Sequence, residues 1–187
     1  AELTKAGIGP ATRCAGFALR LWPGFASKAP ALAECARYVY EKHGLTPVFI
    51  PINHKSDSEA ADAVSRLISD VPHALLPGPL PSPLAIGILG RMEIAVSMRL
   101  HGLIFAAGQG TPVVGVSYDP KVTAFLRCID GESVVLTDVT GGALCALADK
   151  ALGKRSDPEA LRESVKRLRR LEGQNSHAAA RLLGKEE

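Results

Sequence analysis

A chain of 187 residues that is 47% hydrophobic and 22% charged can build one core hiding about 70% of the surface its unfolded form would expose, so it needs no disulfide or structural metal to fold. Its 22 Lys+Arg against 19 Asp+Glu leave a net charge of only +3, which excludes the compositions of disordered tails and polybasic nucleic-acid binders. The excess lies in residues 154 to 172, where seven basic side chains alternate with four acidic ones, a pattern that suits a solvated helix face better than a lipid-binding one.

Short runs of Val, Ile, Leu and Phe alternate along the chain with segments of helical period. The runs place strands at Gly16 to Leu21, Pro47 to Ile52, His73 to Leu76, Glu93 to Ser97, Pro112 to Ser117 and Ser133 to Leu136. Pro30 to His43 carries good helix formers and is followed by Gly44, where a left-handed residue closes a helix. Ser56 and Glu59 have the spacing of a capping box that opens a helix running to about Asp70. Leu103 to Ala107 is an apolar helix. Asp119-Pro120 and Asp157-Pro158 each set a capping carboxylate before a proline at the first helical position, and the last helix runs from Pro158 to about Leu183. Strand and helix in alternation with short links imply parallel pairing through right-handed crossovers, so the fold class is α/β, a Rossmann-like doubly wound sheet of about six parallel strands.

The four cysteines, 14, 35, 128 and 145, form no C-x-x-C pair and read as reduced core residues; no metal set is evident. Val71 to Gly90 and Leu100 to Tyr118 contain no Asp, Glu, Lys or Arg, but their prolines and glycines rule out unbroken helices in lipid. No secretory leader is visible, so the expected location is cytoplasmic, with peripheral contact at the inner membrane face open. The chain begins at Ala1 without Met, which leaves room for a piece upstream.

Ligands of open parallel sheets bind beyond the carboxyl ends of the strands, where strand order reverses. With strand order 3-2-1-4-5-6, the first and fourth strands are neighbours and Arg20 and Arg99 face one crevice. Two guanidiniums side by side call for an anion. Arg99-Leu100-His101 opens a helix whose free N–H groups add positive potential, and planar forks suit phosphate and carboxylate. The expected ligand is a small molecule bearing both. His101, neutral in the empty site, would be protonated beside a polyanion and serve as a proton donor; the alternative is a histidine bonded to a backbone carbonyl in a packed turn.

The run SMRLHGLIFAAGQGTPVVGVSYDPKVTAFL, Ser97 to Leu126, resembles the signature of the polysaccharide pyruvyl transferase family, in particular its bacterial cell-wall (CsaB-type) branch. It has an R-L-H at a helix start, an apolar helix, a P-V-V-G-x-S-Y strand and a D-P-K-V turn, in the family's order. FALRLWP, Phe17 to Pro23, is similar to the family's strand ending in Arg and an aromatic, and VFIPINHKSD, Val48 to Asp57, resembles its next strand and acidic helix start. The resemblance runs from about Gly16 to Ile129.

It implies transfer of pyruvate from phosphoenolpyruvate to two hydroxyls of one sugar, as a cyclic ketal in a cell-wall or exopolysaccharide precursor, with release of phosphate. Arg20 and Arg99, with Leu100, would hold the donor, His101 would protonate its methylene carbon, and Tyr118 and Lys121 would add anion or sugar contacts. A capping Tyr and a solvated Lys are equal readings of the last two. Phosphoenolpyruvate is then a substrate, no separate cofactor or metal is implied, and the partners are a glycan or lipid-linked saccharide, without nucleic acid and without a transmembrane segment.

Leu21 departs from the family, many of whose members have proline there. Members resemble two-lobed enzymes of the GT-B type, so residues 1–187 are expected to form only the C-terminal lobe, with 1–13 a linker from a missing lobe or partner subunit and 157–187 the C-terminal helix. Two rivals remain: the nucleotide-sugar lobe of a GT-B glycosyltransferase, for which no complete G-x-G-x-x-G is present, and a non-catalytic partner domain of a split enzyme.

Overall fold

A computed structural model of the chain describes residues 2–53, 55–78, 80–154 and 158–183. Six parallel strands, β1 (Cys14–Ala18), β2 (Thr46–Phe49), β3 (Ala74–Leu75), β4 (Ile94–Ser97), β5 (Val113–Ser117) and β6 (Glu132–Val135), lie in the order β3-β2-β1-β4-β5-β6. This is the strand order on which the expected crevice depended, with the reversal between β1 and β4. The helices are α1 (Glu2–Lys5), α2 (Phe25–His43), α3 (Lys55–Ser65), α4 (Ser82–Leu89), α5 (Leu100–Gly108), α6 (Pro120–Cys128), α7 (Gly141–Lys154) and α8 (Pro158–Leu182).

Side chains along the central strands alternate between two cores, which is why the strands are apolar throughout. Phe17, Val96, Val114 and Val116 pack under α2, α3 and α7. Val48, Ile50, Ala95 and Val113 pack under α4, α5 and α6, and Leu161, Val165 and Leu168 of α8 lean on that second core. The basic terminal helix is thus anchored by an apolar stripe, with its Lys and Arg residues on the outer side. No helix among the described residues is long and apolar enough to cross a membrane.

Several boundaries differ from the sequence reading. β1 starts at Cys14 and stops at Ala18, because its ladder with β4 ends at the Ala18–Ser97 pair; Leu19 to Leu21 lie beyond the strand although the apolar run continues. α2 starts at Phe25, five residues before Pro30, so this proline sits inside the helix and does not open it. α3 begins at Lys55, which puts Ser56 inside the first turn and not ahead of it. α4 was hidden in a proline-rich stretch, where Pro83 fits the first turn of the helix. Gly44 does close α2, at φ 64°, with its N–H on the Tyr40 carbonyl, and Asp119 does cap α6 through the Lys121 N–H (3.0 Å). Asp157 lies outside the described residues. Cys14, Cys35 and Cys145 are buried as expected, but Cys128 is exposed, because it ends α6 on the outer side. Residues 2–13 are packed as well: Leu3 and Ile8 are buried in the second core, and Arg91 donates to the carbonyls of Gly9 and Pro10.

α2 and α7 are tied at one end by Asp149, which accepts hydrogen bonds from Tyr38 (2.6 Å) and Lys42 (2.8 Å) and lies 2.7 Å from the His43 ring. The Lys42 bond first, and then the Tyr38 bond, hold its carboxyl far below the usual carboxylate range. A depressed folded-state pKa stabilises the fold above the unfolded value of about 3.9 and is lost as pH falls through the folded one. Asp149→Asn is therefore expected to lower the melting temperature at pH 7 by a few degrees and to remove part of its decline below pH 4. An unchanged acid limb in thermal scans from pH 7 to pH 2 would refute the assignment.

Candidate functional site

The pairing of Ala18 with Ser97 places Arg20 and Arg99 two residues past the ends of adjacent strands, at the reversal of strand order, where a parallel sheet opens a crevice. Ser97 is fully buried and shapes the turn: its hydroxyl accepts from the Arg99 N–H (3.0 Å) and donates to the Arg99 carbonyl (2.9 Å). Gly102 lets the helix seat against this turn, since a Cβ there would stand 2.6 Å from the Ser97 hydroxyl and 3.1 Å from the Ala18 Cβ. Gly102→Ala sets a helix-propensity gain of about 1 kcal/mol against overpacking that costs about 1–3 kcal/mol. The expected result is a lower melting temperature together with a displaced Arg99 and His101. A stabilised variant would show that α5 can lift off the strand ends freely.

Arg99 has an internal counter-ion. Its Nε lies 3.0 and 3.1 Å from the two carboxylate oxygens of Asp57, its Nη2 also binds that carboxylate, and Nη2 donates to the Ser56 hydroxyl (3.3 Å). The Asp57 side chain is 1% exposed and that of Arg99 12%. Asp57 is itself fixed by the Asn53 N–H (2.8 Å), and the Leu21 N–H donates to the Ser56 carbonyl (3.2 Å), so the loops after β1, β2 and β4 are joined in one network. The expectation of two guanidiniums without a partner is corrected here: Asp57, read from the sequence only as part of an acidic helix start, neutralises one of them. The Nη1 of Arg99 has no protein acceptor among the described residues, so one edge of the fork stays available.

Arg20 crosses the end of β4 to reach the loop after β5, where its Nη1 donates to the Tyr118 hydroxyl (2.5 Å). The guanidinium carbon lies 4.9 Å from the Trp22 ring centre and 5.1 Å from that of Tyr118, and the two rings are 4.5 Å apart. Stacking on aromatic faces holds a guanidinium in place while leaving its charge intact. His101 occupies the first turn of α5, exposed, with its ring 6.0 Å from that of Phe105. The packed-turn alternative is not what the geometry shows. Leu100, beside it, is half-buried. The first N–H groups of α5 have no acceptor within the helix and add partial positive charge at this position. Lys121 is exposed, and its amine pairs with Asp119 (3.2 Å); the Lys121 N–H is the main cause that holds the Asp119 carboxyl below its usual range.

The structure thus brings Arg20, Trp22 and Tyr118 into one contact group and Arg99, Asp57 and Ser56 into another, with His101 on the helix that Arg99 caps. Lys121 stands on the first turn of α6, paired with the capping carboxylate of Asp119. Asp57, Ser97, Gly102 and Trp22 complete the set without having been singled out as site residues. Only Asp57 left a usable signal, an acidic residue in the first turn after a strand.

The sequence profile of the polysaccharide pyruvyl transferase family matches residues 14–120, more than half of the chain. No curated protein matches the sequence. Among solved structures the chain is similar to the glycotransferase of kitacinnamycin (14% identity, TM-score 0.59, 86% of this chain and 40% of that one). It is also similar to the glycosyl transferase family 9 protein of Veillonella parvula DSM 2008 (15%, 0.58, 81% and 49%) and to the UDP-GlcNAc 2-epimerase of Neisseria meningitidis (12%, 0.58, 88% and 42%). At such identities the likeness is one of fold, and the chain spans less than half the length of these proteins.

Proposed function

The chain belongs to the polysaccharide pyruvyl transferase family, and from that premise we propose that its sheet mouth binds phosphoenolpyruvate and transfers the pyruvyl group to a sugar as a ketal. The observation that supports this reading is that Arg20 and Arg99 each stand two residues past the ends of adjacent strands at the reversal point, with His101 exposed on the first turn of the helix that follows.

The donor carries a phosphate and a carboxylate. The free Nη1 edge of Arg99, the aromatic-held guanidinium of Arg20 and the N–H groups of α5 supply fixed positive charge for both, with Leu100 beside them. Bound anions favour the protonated imidazole of His101, which donates its proton to the methylene carbon of the donor. The adjacent carbon becomes oxocarbenium-like and is attacked by one sugar hydroxyl, whose proton returns to the imidazole. Phosphate leaves with cleavage of its C–O bond, and a second hydroxyl of the same sugar closes the ketal, its proton passing to the departing phosphate. Tyr118 orients Arg20 through its hydroxyl, and Lys121, whose charge is met by Asp119, stays outside the donor contacts.

The reading is tested by thermal protection. A ligand of the native state at one hundred times its dissociation constant adds about 2.7 kcal/mol, roughly 5–10 °C for a domain of this size. Phosphoenolpyruvate is expected to give such a shift. Protection by a nucleoside diphosphate instead would favour a nucleotide-sugar lobe, and protection by neither would favour a non-catalytic partner.

A further inference from the structure

Beside the two arginines an open cleft of about 500 Å³ lies over the carboxyl ends of β5 and β6. Trp22 and Tyr118 lie on one side, and Ser27, Thr123, Thr137, Asp119, Val135 and Leu136 are among the residues that line the rest. Trp22 is still 36% exposed although Tyr118 and Arg20 lie against it. The lysine that lines the cleft is committed: the Lys28 amine donates to the carbonyls of Thr137 (2.7 Å) and Val139 (3.3 Å). The Ser117 and Thr123 hydroxyls bond each other at 2.7 Å.

We propose that this cleft is the subsite for the acceptor and that it takes a neutral pyranose ring, an inference that rests on the donor reading above. An exposed indole beside hydroxyl-bearing side chains matches a ligand with an apolar C–H face and a hydroxyl edge. A nucleoside diphosphate would need free cations, whereas Lys28 is held by two backbone carbonyls and the cleft also presents the carboxylate of Asp119. The location also suits the chemistry. Arg20 stacks on the same two rings that wall the cleft, so a sugar resting on Trp22 is one side chain away from the donor's carbon, as attack by its hydroxyl requires.

Trp22 is the single tryptophan of the chain, so its emission reports on this cleft and on the Arg20 guanidinium stacked against it, and the titrations without phosphoenolpyruvate isolate the cleft. The experiment titrates the chain with the methyl pyranosides of glucose, galactose, mannose, N-acetylglucosamine and N-acetylmannosamine, each with and without phosphoenolpyruvate, and follows emission together with saturation-transfer NMR of the sugar protons. At least one glycoside is expected to change the emission saturably at millimolar concentration, with transfer strongest to its C–H face. Trp22→Leu should weaken that glycoside at least tenfold in the NMR experiment, and Trp22→Phe should retain most of the binding. Silence across the panel while phosphoenolpyruvate still raises the melting temperature overturns the subsite and leaves the donor reading standing. A glycoside that binds equally well to Trp22→Leu, or emission that answers to uridine diphosphate and to no glycoside, also overturns it. Loss of phosphoenolpyruvate protection with glycoside binding intact counts against the donor reading instead.

Discussion

His101→Ala is expected to lower the rate of pyruvyl transfer by about 10²–10⁴, the usual contribution of a positioned general acid, while leaving protection by phosphoenolpyruvate nearly unchanged. The separation follows from the site. In the proposed reading charge for the donor comes from Arg20, Arg99 and the N-terminus of α5, none of which the substitution removes, and His101 is exposed, so its loss opens no cavity in the core. The measurement is ketal formation and phosphate release in the assembly that turns over, set beside melting curves of the chain with and without donor. His101→Gln should behave like the alanine variant, because an amide can hold a hydrogen bond at that position yet cannot deliver a proton to carbon. Turnover preserved in either variant would take His101 out of the acid role. A parallel loss of donor protection would make it a binding residue.

The sheet was legible because its pattern is redundant: six apolar runs separated by helical segments leave few arrangements for parallel strands. Boundaries were less so. Leu19 is buried like the strand residues before it, so burial pattern alone could not show that the ladder stops at Ala18. α4 was obscured by prolines that its N-terminal turn accommodates. At the site, Arg20, Arg99 and His101 could be placed at one mouth because strand order fixes which loops are neighbours. What could not be read was the state of charge. Asp57 is 42 residues from Arg99 in sequence, and only the folded chain lays α3 against the start of α5, so a cation that seemed to await a ligand has a permanent partner. The Trp22–Tyr118 contact, likewise, joins loops that β4 separates.

That partner makes replacement of Arg99 costly in stability as well as in donor binding. Asp57 is almost wholly buried, and Arg99→Ala would leave its carboxylate without the guanidinium; breaking a buried pair by removing one member typically costs about 3–5 kcal/mol. For a domain of this length that corresponds to a fall in melting temperature of roughly 6–20 °C, present with no ligand at all. Arg99→Lys keeps the charge but cannot place Nε and Nη2 on Asp57 while Nη1 faces the donor, so it should recover part of the stability and little of the donor protection. Asp57→Asn isolates the other half of the pair. The asparagine keeps the shape and can still accept the Asn53 N–H, but the fork loses its anchor, so donor affinity should fall although the net positive charge of the mouth has risen. If charge alone governed binding, Asp57→Asn would tighten it. The combined variant Asp57→Asn with Arg99→Ala should be less destabilised than the sum of the single changes, because each alone leaves the other member unpaired. Melting curves of the four proteins with and without phosphoenolpyruvate decide the matter. Strict additivity would mean that the two side chains act independently and that Asp57 has no part in positioning Arg99.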